Sequence, residues 1–351
     1  MRYKKAMVPP PSEDTILFSC RARIARNLAD TRFPDFATEE ERHAVREKIC
    51  DALVNAPPFA GGTLYRVEEL PQAALLSHIE DHHISTDLSR RGNGGAWIAD
   101  AEGLCSVMIN EEDHLRIQVV RPDANIREAW EKATELERAI ESGLRYAFHD
   151  TYGYLTACPS NVGTGLRVSV MMRLLGLSIA NETEQVFKAL DALGFAVRGL
   201  WGEGTEGSGH LFQISNQQTL GEREADIVSR LEGIIAATAR QEYHARLRAM
   251  EKRRLYVLDA VCRSIATLQN ARILQSSELL DFLSAISLGL EFNLIEGVTA
   301  DDLNRWASAF LPGHLQLSHP LECADDESRD RFRADRLRAL SRPITAKEFP
   351  L

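Results

Sequence analysis

The chain has 351 residues, 44% hydrophobic and 26% charged, with a formal net charge of −10; that length points to two domains, and the acidic balance excludes a general nucleic-acid surface while favouring basic, arginine-rich partners. No apolar run approaches the roughly 20 residues that span a bilayer, and Met1 to Glu13 carries basic residues and Pro9-Pro10-Pro11 but no apolar signal core. Six cysteines (Cys20, Cys50, Cys105, Cys158, Cys262, Cys323) include no C-x-x-C pair, which argues against a disulfide framework or zinc site and for a reducing cytoplasm.

In chain order, Thr15–Ser19 reads as a short strand followed by Arg21, Arg23 and Arg26, and Glu39–Leu53 has helical character. Ala96–Ala99, Leu104–Ile109 and Leu115–Val120 are rich in β-formers and separated by turn residues, which predicts neighbouring antiparallel strands. Apolar residues at Ala129, Trp130, Ala133, Leu136, Ile140 and Leu144 recur at helical spacing and predict a helix over Ile126–Phe148. Phe195–Leu200 and His210–Ser215 read as strands with a glycine-rich stretch between them. From about Glu222 the pattern turns helical: Ile227, Leu231, Ile234 and Ile235 mark one face, Leu279–Leu290 another, and Thr299 with Asp302 resembles a capping box ahead of Leu303 and Trp306. There is no internal repeat. The Arg- and Asp-rich carboxy-terminal segment reads as a solvated helix, and the shift in composition near residue 245 divides the chain into 1–245 and 246–351.

Four segments concentrate polar groups where a simple core would not. In Ser19-Cys20-Arg21-Ala22-Arg23 the two arginines alternate along a strand and share one face, where their guanidinium forks suit a polyphosphate. Asn110-Glu111-Glu112-Asp113-His114-Leu115-Arg116 sets three consecutive carboxylates at a turn, a repulsion relieved by solvent or by a cation such as a guanidinium. Thr156-Ala157-Cys158-Pro159-Ser160-Asn161-Val162-Gly163-Thr164-Gly165-Leu166-Arg167 looks like a phosphate loop but lacks the G-x-x-x-x-G-K-[ST] pattern, which excludes a P-loop enzyme. Its Cys158 stands beside a proline and polar residues, as a thiolate near a cationic substrate would. Arg198-Gly199-Leu200-Trp201-Gly202-Glu203-Gly204 surrounds a glutamate with glycines, a setting in which catalytic residues concentrate. Each segment also has a plainer reading: a solvated basic strand edge, an acidic turn, a buried structural cysteine, a flexible hairpin.

Together and in this order, the four segments resemble the catalytic domain of the phosphagen (guanido) kinases over roughly residues 15–245. The S-x-R-x-R strand, the N-E-E-D-H-x-R turn, the C-P-[ST]-N-x-G-T loop and the R-G glutamate loop all match, as does Phe212-Gln213-Ile214-Ser215-Asn216-Gln217 with Leu220-Gly221. Within that family the chain is most similar to the bacterial protein-arginine kinases. Only eighteen residues precede Ser19, where small-molecule phosphagen kinases carry a helical domain, and a helical region follows instead. Its Arg329-Asp330-Arg331-Phe332-Arg333-Ala334 fits the R-D-x-x-R-A pattern of a regulatory phosphoarginine site. Ser160 stands where threonine is usual and Trp201 where tyrosine is expected; Arg173 and Gly207 also depart from the pattern.

The resemblance implies an α+β fold, with an antiparallel sheet flanked by helices over 1–245 and an all-α C-terminal domain over 246–351 that binds phosphoarginine and dimerises. It implies transfer of the ATP γ-phosphoryl group to protein arginine, with Mg²⁺ bridging the phosphates and no metal ligands of the chain's own. Glu112 and Glu203 would clamp the guanidinium, Glu112 acting as base, with Glu111 helping through a metal or water and Cys158 beside the substrate. The nucleotide would meet Ser19, Cys20, Arg21, Ala22, Arg23, Arg116, Arg167, Val168, Ser169, Val170, Met171, and Arg198 through Glu203 (Gly199, Leu200, Trp201, Gly202). His82 is either a further nucleotide contact or half of a surface histidine pair. Implied partners are proteins with exposed arginines, a zinc-binding activator, a Clp-type chaperone-protease and a second copy of the chain, with no nucleic acid or membrane. Marking proteins for proteolysis or regulating a stress-response repressor would be the outcome. Two rival readings are a kinase for free arginine or another small guanidino compound, and an inactive phosphoarginine-reading adaptor.

Overall fold

The computed structural model describes residues 15–54, 56, 59, 62–199 and 208–348. Its first part contains β1 (Leu17–Arg26), α1 (Glu39–Val54), β2 (Thr63–Arg66), α2 (Gln72–Glu80), α3 (Thr86–Arg90), β3 (Ala96–Ala99), β4 (Cys105–Ile109), β5 (Leu115–Arg121) and α4 (Ile126–Glu141). There follow a small hairpin of β6 (Phe148–His149) and β7 (Gly153–Tyr154), then β8 (Leu166–Arg173), α5 (Leu175–Ala180), α6 (Thr183–Ala192), β9 (Phe195–Gly199), β10 (Leu211–Asn216) and the long α7 (Glu224–Lys252). Eight of these strands form one antiparallel sheet in the order β2-β3-β4-β5-β1-β8-β10-β9.

Strand alternation gives this sheet two chemically distinct faces. Cys20, Ala22 and Ile24 of β1, Ile117 and Val119 of β5, Leu166, Val168 and Val170 of β8 and Ile214 of β10 point to one side. There they meet Ala129, Ala133, Leu136 and Ile140 of α4 and Ile227, Val228, Leu231 and Ile235 of α7, all buried. Burial of that apolar surface is the main stabilising term. On the opposite face the central strands carry polar residues, while Trp97 of β3 and Met108 of β4 pack with Val67, Ile84 and Leu88.

Two elements depart from the sequence expectation. β1 runs through Arg26 because β5 pairs with it to that residue and β8 as far as Ile24. The helix expected to reach Phe148 stops at Glu141, because the following chain is drawn to the sheet: Ala147 donates its amide to the Asn27 carbonyl at 2.7 Å and Tyr146 bridges Leu28. Tertiary pairing there overrides the helical period.

The remainder is helical apart from one two-residue ladder: α8 (Arg254–Asn270), α9 (Ser276–Glu291), β11 (Ile295–Glu296), α10 (Ala300–Ala309), α11 (Pro312–Ser318), α12 (Asp326–Ser341) and β12 (Thr345–Ala346). The capping box is formed, with Asp302 N–H donating to Thr299 Oγ1 and Thr299 N–H to Asp302 Oδ2. A second apolar cluster joins Val257, Val261, Leu283, Ile286, Trp306 and Leu337. The chain is therefore α+β in its first part and helical in its second.

Two clusters of polar contacts are among those that hold the parts together. Buried Arg246 bonds Glu242 at 2.6 Å, Glu291 at 2.5 Å and the Arg173 carbonyl at 3.0 Å, while Glu242 accepts the amides of Gly176 and Leu177. In the other cluster, Glu80 at the end of α2 accepts the amides of Gly313 and His314 at 2.8 and 3.1 Å, and Asp81 accepts from His314 Nε2 at 2.9 Å. Gly313 is obligatory at this approach, since a Cβ would lie 2.5 Å from the Ser77 nitrogen.

Candidate active site

The polar face of the sheet gathers residues from five strands. Register places Arg21 opposite Val120 and Ser169, Arg23 opposite Gln118 and Arg167, Arg116 opposite Ala25, and Gln213 opposite Met171 and Arg198. Directly opposed residues project to the same side, so Arg21, Arg23, Arg116, Arg167 and Arg198 share one surface with Ser169, Met171 and Gln213. A cleft of about 290 Å³ is lined by Ser19, Arg21, Arg23, Arg116 and Arg198 together with His82 and Ser85. Cys20, Ala22, Val168 and Val170, included among the expected nucleotide residues, carry their side chains into the opposite core, so what they offer the cleft face is backbone. Gly199 ends β9 and is buried. Leu200, Trp201, Gly202, Glu203 and Gly207 lie outside the described residues.

This surface is short of anions. Burial and then the neighbouring Arg116 and Arg167 guanidiniums push Arg21 down to about 10. Arg23 is lowered by burial and by Arg21, Arg116 and Arg167, and Arg167 by burial, Arg198 and Arg116. The Nε atoms of Arg23 and Arg167 are buried without a hydrogen-bond partner. A polyphosphate supplies both the charge and the acceptors that this cluster lacks. Arg173 continues the same line of β8 but turns to Ser287 of α9 at 2.8 Å, at the joint between the parts.

The acidic turn divides into three different jobs. Glu111 is buried, pairs with Arg116 and accepts from the Ser85 hydroxyl and the Glu112 amide. Burial alone would raise its carboxyl, but Arg116, Ser85 and the Glu112 amide hold it below the ordinary glutamate range. Glu112 is half-buried and goes the other way: burial and the nearby Asp113 and Glu111 carboxylates raise it, against Arg116 and a hydrogen bond with Cys158. Asp113 accepts from Asn27 Nδ2 at 2.6 Å and from the Ala157 amide at 2.7 Å, which ties the turn to the residue before Cys158.

His114 secures the same turn from behind. Burial lowers it to about 4, and the neutral ring accepts the Leu28 amide at Nδ1 and faces the Arg32 carbonyl from Nε2 at 2.9 Å. That pattern fits one tautomer, protonated at Nε2. Cys158 lies 3.0 Å from the Ser160 hydroxyl and is partly exposed. Its loop is pinned by Thr219, whose hydroxyl donates to the carbonyls of Ser160 and Val162. Gly163 (φ 112°) is indispensable, because a Cβ would lie 2.5 Å from the Thr219 carbonyl.

His82 lies at the cleft, with its ring lowered to about 4 by burial and then Arg21. The histidine pair that forms instead is His78 with His83, their Nδ1 atoms 3.2 Å apart. His82 also lines a larger cavity of about 730 Å³, as do Ser19 and Val120, so the two spaces adjoin. Ser85, Asn27 and Gln118 carry no sequence signal as site residues; each lies in a segment without a motif of its own and becomes visible only through its partner across the fold.

In the C-terminal part, Arg333 is buried and donates to the Phe310 and Leu274 carbonyls at 2.7 and 2.6 Å and to Asp330 at 2.5 Å. Ala334 is in the core, and Arg329 pairs with Asp326. Of this expected constellation, Arg329 and Asp330 keep access to solvent.

An antiparallel sheet with a polyarginine face, an acidic turn and a cysteine loop defines a phosphotransferase for guanidino compounds. Residues 44–245 match the family profile described as the ATP:guanido phosphotransferase C-terminal catalytic domain, and residues 254–349 match the protein-arginine kinase McsB C-terminal domain. The chain is 40% identical over 330 residues to a protein-arginine kinase of Halalkalibacterium halodurans, covering 94% of this chain and 92% of that one. A protein-arginine kinase of Moorella thermoacetica is 38% identical over 342 residues, 97% of each chain. Among solved structures, a lombricine kinase superposes with a TM-score of 0.59 at 27% identity over 70% of each chain. The chain belongs to the protein-arginine kinases of the guanido phosphotransferase family.

Proposed function

We propose that this protein transfers the γ-phosphoryl group of ATP to the guanidino group of arginine side chains in proteins. The observation that carries this reading is the five-arginine face set beside a glutamate of raised pKa and a cysteine loop on one sheet. Arg21, Arg23, Arg116, Arg167 and Arg198 would grip the triphosphate and neutralise charge spreading over the phosphoryl oxygens. The adjoining larger cavity offers room for the nucleoside beside His82.

A guanidinium is protonated at physiological pH and its nitrogens are poor nucleophiles. Glu112 would hold the substrate guanidinium in line with the γ-phosphorus and take a proton as the N–P bond forms and the bond from the γ-phosphorus to the bridging oxygen of the leaving ADP breaks; orientation and general-base help are each worth orders of magnitude in rate. Glu203 is proposed as the second clamp. Glu111 is spoken for by Arg116 and acts by fixing that arginine. Among the described residues no group of three or more His, Cys, Asp or Glu could hold a metal. Mg²⁺ is proposed to arrive on the nucleotide phosphates, in keeping with its habit of taking few protein ligands. Bound there, it would screen the charge of the phosphates against the incoming nucleophile.

The catalytic unit is assigned to 1–245 and the helical unit, with dimerisation and phosphoarginine binding, to 246–351. There Arg329 and Asp330 would meet phosphoarginine, with Arg333 and Ala334 as scaffold. A cytoplasmic location, a zinc-binding activator and delivery of marked proteins to a Clp-type protease complete the proposal. No helix of the described residues is long and apolar enough to cross a membrane. Incubation with γ-labelled ATP, an arginine-rich unfolded protein and free arginine tests the reading. Acid-labile label on protein is expected; label confined to free arginine, or none at all, overturns it.

A further inference from the structure

A third cavity lies behind the cysteine loop, away from the arginine face. It measures about 700 Å³ and opens between the end of α4 and the β6–β7 hairpin, lined by Glu141, Arg145, Tyr146, Phe148 and Tyr154. Its walls are rigid. Tyr154 and Gly163 exchange backbone hydrogen bonds at 2.8 and 3.2 Å, and a Cβ on Gly153 would lie 2.5 Å from the Gly163 carbonyl. The Tyr154 ring stacks on the Arg26 guanidinium at 3.4 Å and meets Phe148 edge-on at 5.2 Å.

Two features of this cavity call for a cation. Phe148 is 57% exposed, an aromatic ring presented to solvent on the hairpin. Glu141 has no ion pair among the described residues, whereas Arg145, the cation on this wall, is paired with Asp30. An exposed aromatic ring beside a free carboxylate suits a lysine or arginine side chain.

We propose that this cavity is an accessory subsite for a second cationic side chain of the substrate polypeptide. It deepens the protein-arginine kinase reading and rests on it. The cavity's Tyr154 is four residues before Cys158, a span of at most about 14 Å. A lysine or arginine three to five residues from the target arginine in an extended chain covers that distance. Exposed arginine in a basic, unfolded stretch would thus be preferred over an isolated arginine.

The test uses the full-length protein and two peptides with one arginine each, one of them with a lysine four residues away. The wild type is expected to favour the lysine peptide about two- to fivefold in kcat/KM, the size of an exposed cation–aromatic contact. Glu141→Ala and Phe148→Ala, both surface substitutions, should abolish that preference and leave the single-arginine peptide and the KM for ATP unchanged. Equal use of both peptides by the wild type, or an undiminished preference in both variants, overturns the subsite. A wild type that labels neither peptide overturns the kinase reading itself.

Discussion

Glu111, Glu112 and Asp113 are identical or nearly so in chemistry and adjacent in sequence, yet their surroundings pull them apart. Arg116 claims the first and two hydrogen bonds from Asn27 and Ala157 hold the third. Glu112 is left with a carboxyl raised by burial and by its two neighbours. A raised carboxyl makes a stronger base once ionised, and it also costs stability at neutral pH, because the folded state resists the charge. Glu112→Gln should therefore lower kcat by about 10²-fold or more while ATP binding is kept. Its melting temperature should equal or exceed the wild type's at pH 7.5. Kinetics and thermal unfolding on one preparation check both halves, and a variant that is both active and less stable would contradict the assignment.

At the scale of elements, the docking of α11 on α2 is sensitive to pH through Asp81 and His314. The Asp81 bond raises His314 despite partial burial; burial alone would raise Asp81, but the His314 bond outweighs it and lowers it. A raised histidine stabilises below its unfolded value and loses that contribution as pH climbs through its folded value. A lowered aspartate stabilises above its unfolded value and loses it as pH falls. The pair thus contributes most between about pH 4 and 6.5 and fades above. Buried His82 and His114 carry the opposite dependence, so the comparison must be with a variant. Between pH 6 and 8.5 the wild type should gain less, or lose more, melting temperature than His314→Gln; parallel curves would rule the pair out.

For the whole molecule, Arg246 is the keystone between the sheet and the helical part. It answers two buried carboxylates from α7 and α9, and removing it leaves both without their cation. Arg246→Met should cost about 3–5 kcal/mol, seen as a lower midpoint in guanidinium chloride, with the unfolding of the two parts drawn apart. Retention of a single transition at the wild-type midpoint would show that the apolar contacts alone couple them.

Much of this was legible in the amino-acid order because it is local. Alternation announces the strands around Arg21, Arg23 and Arg116, helical spacing announces α4 and α7, and the turn and loop motifs point to guanidino chemistry by their resemblance to the guanido kinases. Long-range pairing was not legible. Nothing in a linear reading joins Asn27 to Asp113, or Ser85 to Glu111, and the helix expected to reach Phe148 ended at Glu141 once Asn27 and Leu28 offered partners. The same limit applied to Arg333, whose motif suggested a ligand contact while packing turned its guanidinium onto the Phe310 and Leu274 carbonyls. By itself, then, the sequence determined which groups are available and which strand face each occupies, since period and composition act over a few residues. Only the tertiary structure decided which arginines lack counter-charge, which of three carboxylates is left raised, and that an aromatic cavity stands behind the cysteine loop. Burial and pairing are set by residues far apart in the chain.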